Sequence, residues 1–203
     1  MWANTDILEL AEWLKEYNKK LSPEEKVGFY GFDVYGQWQA MDDLLAWSEN
    51  NLNEKHNDLI TKLNCFAGYR TDEWQYGREV AEGKPSCEEE LKQIVEMLCN
   101  HGSSIDSSEM KSYFRAKQNA LVVQNAESFY RLAVQNNILS WNSRVDHMWL
   151  TITRLLVFYG QNAKGIIWAH NTHVGDSRAT TMRTINQYNI GELSRMNLGE
   201  ENV

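Results

Sequence analysis

The amino-acid sequence predicts an α/β protein that is mainly helical, and two observations carry that reading. Two short runs rich in β-branched and aromatic residues, 27–32 and 164–169, each lie between segments with helical spacing. The stretch between them is long, charged and helical in its periodicity. Apolar runs set between helices are the pattern of buried parallel strands joined by crossovers. The expected architecture is therefore parallel β-strands near 27–32 and 164–169, with a large helical subdomain at about 71–160 between them.

The elements follow in order. Asn4 or Thr5 can cap a helix whose apolar face runs Ile7, Leu10, Ala11, Leu14 and which ends near Asn18-Lys19-Lys20. Ser22-Pro23-Glu24-Glu25 is a turn, and Val27 to Phe32 is the first strand. Helical spacing returns at Trp38, Met41, Leu44 and Leu45, and again over Lys55 to Leu63, closing at Cys65-Phe66-Ala67-Gly68-Tyr69. From Thr71 to Asn100 the chain is helical with a break at Gly83-Lys84-Pro85, after which Ser86 and Glu89 resemble a capping box. A long helix is expected over Ser107 to Asn136, which contains no Gly or Pro, and another over Arg144 to Phe158, with Asn142 or Ser143 as its cap. Lys164 to Ala169 is the second strand, and loop with short helices follows Gly175. At Gly199-Glu200-Glu201-Asn202-Val203 a polar turn meets a β-branched residue, the way a strand begins. Two strands are too few for a stable sheet. The chain therefore reads as a partial domain whose N-terminal and C-terminal parts lie outside it.

Composition narrows the function. A hydrophobic fraction of 42% and 8 Trp with 9 Tyr indicate a globular chain with a core. The net charge of -8 leaves no cationic face for a phosphate backbone and disfavours anionic membranes. No apolar run approaches the ~20 residues of a membrane span. The start, Met1-Trp2-Ala3-Asn4-Thr5-Asp6, lacks the basic and apolar regions of a signal peptide, so the expected location is the cytoplasm. The 3 cysteines, Cys65, Cys87 and Cys99, match no zinc spacing and read as free thiols in a reducing compartment.

The densest chemical cluster is His170-Asn171-Thr172-His173-Val174-Gly175-Asp176-Ser177-Arg178, directly after the second apolar run. Ligands in open parallel sheets bind beyond the carboxyl ends of strands. Two imidazoles, an amide, an acid and a guanidinium there supply base, donor and anion-stabilising groups. The competing reading is a loop knitted together by hydrogen bonds. Asp33, with Tyr35 and Trp38, follows the first run; it either accepts an imidazole N–H or caps the next helix. Trp141-Asn142-Ser143-Arg144 offers a guanidinium for a carboxylate, whereas His147 within the same helix reads as a structural histidine. Glu127 and Arg131, one turn apart, read as a simple pair. The Gly-x-Ser-x-Gly nucleophile elbow, a phosphate-binding Gly-rich loop and a dinucleotide fingerprint are all absent.

Several of these segments resemble the erythromycin esterase family. Gly31-Phe32-Asp33-Val34-Tyr35-Gly36-Gln37-Trp38 is similar to its GxDVYxxW segment, and Cys65-Phe66 to its later "CF". Asn125-Ala126-Glu127-Ser128-Phe129-Tyr130-Arg131 resembles its NAExYYR helix. Ser140-Trp141-Asn142-Ser143-Arg144 with His147-Met148 resembles SWNxRDxHM, and Trp168 to Thr180 is close to WAHNxHVGDARAT. Asn189-Ile190-Gly191-Glu192-Leu193 resembles NxGQL. The motifs fall in family order from Gly31 to Leu193.

The resemblance implies a hydrolase that opens esters or macrolide lactones with histidine-activated water, without a covalent acyl-enzyme, a metal or another cofactor. Carried over, His170, His173 and Asp33 are the expected catalytic residues. Tyr35, Trp38, Arg144, Asn171, Asp176 and Arg178 are expected to bind substrate. The family's general base lies in a Gly-Glu-x-x-His segment that nothing in this chain matches, so that segment is an expected partner and the chain alone is expected to be inactive. Departures from the pattern are Val145-Asp146 in place of Asp-Arg, Glu192 in place of Gln and Ser177 in place of Ala. The alternative to an esterase-like piece is a non-catalytic helical binding module, or a split half that needs a partner chain. A weaker third reading is a metal site at His170 and His173.

Overall fold

The computed structural model describes residues 4–199. The chain divides into two units, one ending at Gly31 and one beginning at Phe32. In the first, α1 (Thr5–Asn18) starts where the Asn4 side chain accepts from the Ile7 N–H at 2.9 Å. At its other end Asn18 clamps the chain: its Nδ2 donates to the Val27 carbonyl at 2.9 Å, and its Oδ1 accepts from the Val27 N–H at 2.8 Å. The helix buries none of its residues, and Trp13 and Tyr17 stack on each other at its surface.

The second unit is helical. α2 (Gln37–Asn51), α3 (Lys55–Leu63), α4 (Glu73–Ala81) and α5 (Glu88–Gly102) precede the long α6 (Met110–Ala133). α6 forms the centre of the unit, packing against α2, α4, α5 and the antiparallel α7 (Asn137–Tyr159). Its small residues Ala116 and Ala120 let neighbours approach, and the main core fills around them with Met41, Leu44, Leu59, Leu91, Ile94 and Leu98. After α7 come the single turn α8 (Asn171–Val174), two 3-10 segments and α9 (Ile190–Leu198).

No strand forms among the described residues, which corrects the expected parallel pair at 27–32 and 164–169. A strand needs a neighbouring ladder, and residues 165–167 make no backbone hydrogen bond with any described residue. The apolar character of the runs goes elsewhere. Phe32 and Ile167 pack against Met148, Ile152 and Ile190 of α7 and α9, while Ile166 is wholly exposed. The strand expected to begin after Gly199 lies outside the described residues.

Helix ends also differ from expectation. α7 begins seven residues early, because Asn136 rather than Asn142 or Ser143 caps it, accepting from Ile138 and Leu139 at 3.0 and 3.1 Å. α5 starts after Cys87 without a side-chain cap, so Ser86 and Glu89 form no capping box. Asp72, unremarked in the sequence, caps α4 through Trp74 and Gln75.

Two features tie the bundle together. Glu127, 2% exposed, accepts from the Tyr76 hydroxyl at 2.6 Å and from Arg131 Nε at 2.8 Å, so the Glu127–Arg131 pair is a buried link in a longer chain of bonds. The Tyr76 hydroxyl in turn accepts from the Cys87 N–H at 2.8 Å. Beside it Cys65 and Cys87 are joined as a disulfide with Cα atoms 5.7 Å apart, which corrects the reading of both as free thiols; Cys99 is free. With two of the three cysteines paired, cysteine usage no longer points to a reducing compartment. No helix among the described residues is long and apolar enough to cross a membrane.

Cross-linking Cys65 to Cys87 closes a loop across α4, which restricts the unfolded chain by about 3 kcal/mol. Cys65→Ser with Cys87→Ser should lower the unfolding free energy by about that amount in urea titrations. A midpoint that is the same for the double variant and the oxidised parent would contradict the contribution.

Candidate functional site

Asp33 sits in the extended segment ahead of α2, and Arg144 lies on the first turns of α7. The two meet in a two-pronged pair: Arg144 Nε donates to Asp33 Oδ1 at 2.8 Å and Nη2 to Oδ2 at 2.6 Å. This is the geometry that guanidinium and carboxylate share best. Asp33 Oδ1 also accepts from the Val34 N–H at 2.7 Å. Arg144 lies over the Tyr35 ring at 4.5 Å, and the Tyr35 ring rests edge-on against Phe129. Burial raises the Tyr35 hydroxyl pKa, so it remains a proton donor. The Asp33 carboxylate is thus committed to Arg144, and no hydrogen bond joins it to either imidazole of the His170–His173 segment. It does not cap α2, which starts at Gly36 without a side-chain cap.

His170 is exposed and caps α8: its Nδ1 accepts from the Thr172 N–H at 3.2 Å and lies 2.8 Å from the Thr172 hydroxyl. Accepting at Nδ1 leaves the proton on Nε2. His173, one turn on, is half-buried and lies flat against Trp141, with ring centroids 5.1 Å apart and planes 4° from parallel. Its Nδ1 is sealed from solvent and has no hydrogen-bond partner among the described residues. Burial lowers the His173 pKa; Arg144 and His170 push it the same way, and Asp33 opposes them. The ring is therefore neutral, with Arg144 and Asp33 close enough to sense its charge.

Segments resembling one family's motifs thus meet at this cluster from the head of α2, from α7 and from α8. The erythromycin esterase family model matches residues 1–203, the whole chain. The chain belongs to the erythromycin esterase family, a hydrolase-like family. No solved structure matches it.

Of the other expected site residues of this esterase-family chain, two form a second group. Asp176 caps a 3-10 turn and pairs with Arg178, Nη2 to Oδ2 at 2.7 Å, which lowers its pKa to about 2. Asn171 is exposed at the start of α8. Trp38 is not brought to either group: it packs edge-on against Phe66 in the main core, with Arg70 over its ring at 5.7 Å. No three His, Cys, Asp or Glu side chains gather as a metal-binding set among the described residues.

Asn189 joins this second group to the first, a role its place in the NxGQL-like segment did not reveal. Almost fully buried, it caps α9 through the Glu192 N–H at 2.9 Å, donates to the Thr172 carbonyl at 2.8 Å and accepts from the Ser177 hydroxyl at 3.1 Å. The Ser177 hydroxyl shares its single proton between Asn189 and Glu192, so two departures from the family pattern meet and the added carboxylate gains a hydroxyl. Gly191 permits this approach, since a Cβ there would lie 2.2 Å from the Gly175 carbonyl oxygen.

The face of α7 that carries Arg144 continues inward as His147, Thr151 and Arg154. His147 is 1% exposed, with the Asp33 backbone beside it; among the described residues its ring nitrogens, Thr151 Oγ1 and Arg154 Nη1 are buried without a partner of good hydrogen-bond geometry. Burial, reinforced by Arg154 and opposed by Asp33, lowers the His147 pKa to about 4. The unfolded chain, titrating near ~6.5, then binds more protons than the folded one between the two values. Its contribution is complete above pH ~6.5 and is lost as pH falls towards 4, a loss of about 3 kcal/mol. Unfolding titrations from pH 7 to 4 should show this slope in the parent, and His147→Phe should flatten it. An equal slope in both proteins would mean that His147 is not the group responsible.

Proposed function

We propose that this chain supplies the His170–His173 side of a hydrolase site that opens a carboxylic ester or macrolide lactone with histidine-activated water. The observation that carries the reading is His173: a neutral, partly desolvated imidazole beside a fixed cation, Arg144, in a chain of this family. A neutral imidazole can accept a proton from water or hold it in line, and a nearby guanidinium favours the negative charge that develops on the attacked carbonyl. His170 presents an Nε2–H donor at the exposed edge. Asp33 positions Arg144. Tyr35, through its hydroxyl, and Asn171 line the approach for a small-molecule substrate. Asp176 with Arg178 buttresses the loop that carries both imidazoles. The full reaction also takes a Gly-Glu-x-x-His segment as general base, so the chain by itself is inactive.

Joining the chain to such a segment and assaying macrolide and simple ester hydrolysis tests this. His173→Ala and His170→Ala should each lower kcat/KM by roughly 10²–10⁴-fold with the fold intact by circular dichroism. Unchanged turnover in both variants would remove the assignment.

A further inference from the structure

A histidine that moves protons must have its ring plane fixed. The usual device is a carboxylate or carbonyl that accepts one ring N–H. Here that device is missing among the described residues, because Asp33 is occupied by Arg144 and His173 Nδ1 has no partner. Rotation about the last side-chain bond of histidine is intrinsically broad. Something else has to hold it.

We propose that Trp141 is a positioning residue: its indole fixes the plane of the His173 imidazole and keeps water from one of its faces. The stack is close to parallel at 5.1 Å, and the indole is itself immobilised. Trp141 Nε1 donates to the Tyr188 carbonyl at 2.7 Å. The next residue, Asn142, donates to the Asn186 carbonyl at 2.9 Å and accepts from the Tyr188 N–H at 3.4 Å. The Tyr188 hydroxyl reaches back to Asp146 at 2.7 Å. Three residues of α7 and the turn before α9 thus form a latch around one indole ring. Asn186 takes a left-handed conformation, φ 55°, which presents its carbonyl to the latch.

The indole acts on His173 in two opposed ways. It excludes water, which disfavours the imidazolium, and its face attracts a cation, which favours it. The charged and titratable groups facing His173 are Arg144 of α7, Asp33 ahead of α2 and His170 at the head of α8; burial is the largest single cause of its lowered pKa. Opening that face should therefore raise the pKa.

The inference deepens the proposed hydrolase site and rests on that reading for its role, yet its readout is the imidazole itself. In the unmodified full chain, nuclear magnetic resonance should show His173 ring protons displaced by the indole ring current. In Trp141→Leu the displacement should vanish and the His173 pKa should rise; Trp141→Phe should retain most of the displacement and of the lowered pKa. Tyr188→Phe, which deletes only the bond to Asp146, should move both observables partway. In the joined, active protein Trp141→Leu should lower kcat with little change in KM and move the acid limb of the pH profile upward. Absence of the ring-current displacement in the parent overturns the proposal whether or not the leucine variant folds. So does an unchanged His173 titration in a folded Trp141→Leu. Loss of the hydrolase reading with the stack intact would instead fault only the chemistry.

Discussion

The half-buried pair between Asp33 and Arg144 is the contact on which the arrangement turns. It joins the segment ahead of α2 to the first turns of α7, 111 residues further along the chain. Withdrawing both charges from water is costly, and only the two-pronged geometry with the added Val34 N–H offsets it. Breaking one side would strand the other, so the pair resists piecemeal replacement. It also decides what each neighbour does. Tyr35 lies beneath the guanidinium, and His173 feels a fixed positive charge from one side.

α7 is an unusual helix for a bundle. Its sequence positions 144, 147, 151 and 154 fall on one face, and that face is polar although it is turned inward. The neighbouring face, with Val145, Met148 and Ile152, supplies the apolar anchor that keeps it there. The helix is thus built from packing on one side and chemistry on the other. The same anchor collects Phe32 and Ile167, so the two extended segments leading to Asp33 and to His170 are both held against α7.

The helices were legible in the sequence because apolar residues recur at helical spacing in α2 and α3, and because no Gly or Pro interrupts the stretch that becomes α6. Their ends were less so: Asn136 caps α7 through two N–H groups, but Asn142 and Ser143 looked equally suitable. The strands were misread for a physical reason. A β-branched and aromatic run reports that some of its residues are buried, not that they pair, and Phe32 and Ile167 are covered by helix side chains. At the site, the histidines, Asp33 and Arg144 stand out by residue type and motif. What holds them does not. That Asp33 goes to Arg144 rather than to an imidazole, that Trp141 takes the imidazole, and that Asn189 links Thr172 to Ser177 are all contacts between distant positions. Trp38 shows the converse, since nearness to Asp33 in sequence put it in the site while its helix carries it into the core.

The Gly191 contact bears on how much variation this region can absorb. With carbonyl oxygens of Val174 and Gly175 already 2.3 and 2.2 Å from where a side chain would begin, α9 is seated against α8 like a part against a mechanical stop. Adding a single methyl group would lift α9 off its seat and drag the Asn189 amide away from the Thr172 carbonyl. How closely α9 can approach the turn that carries both imidazoles is in this way gauged by an atom that is absent.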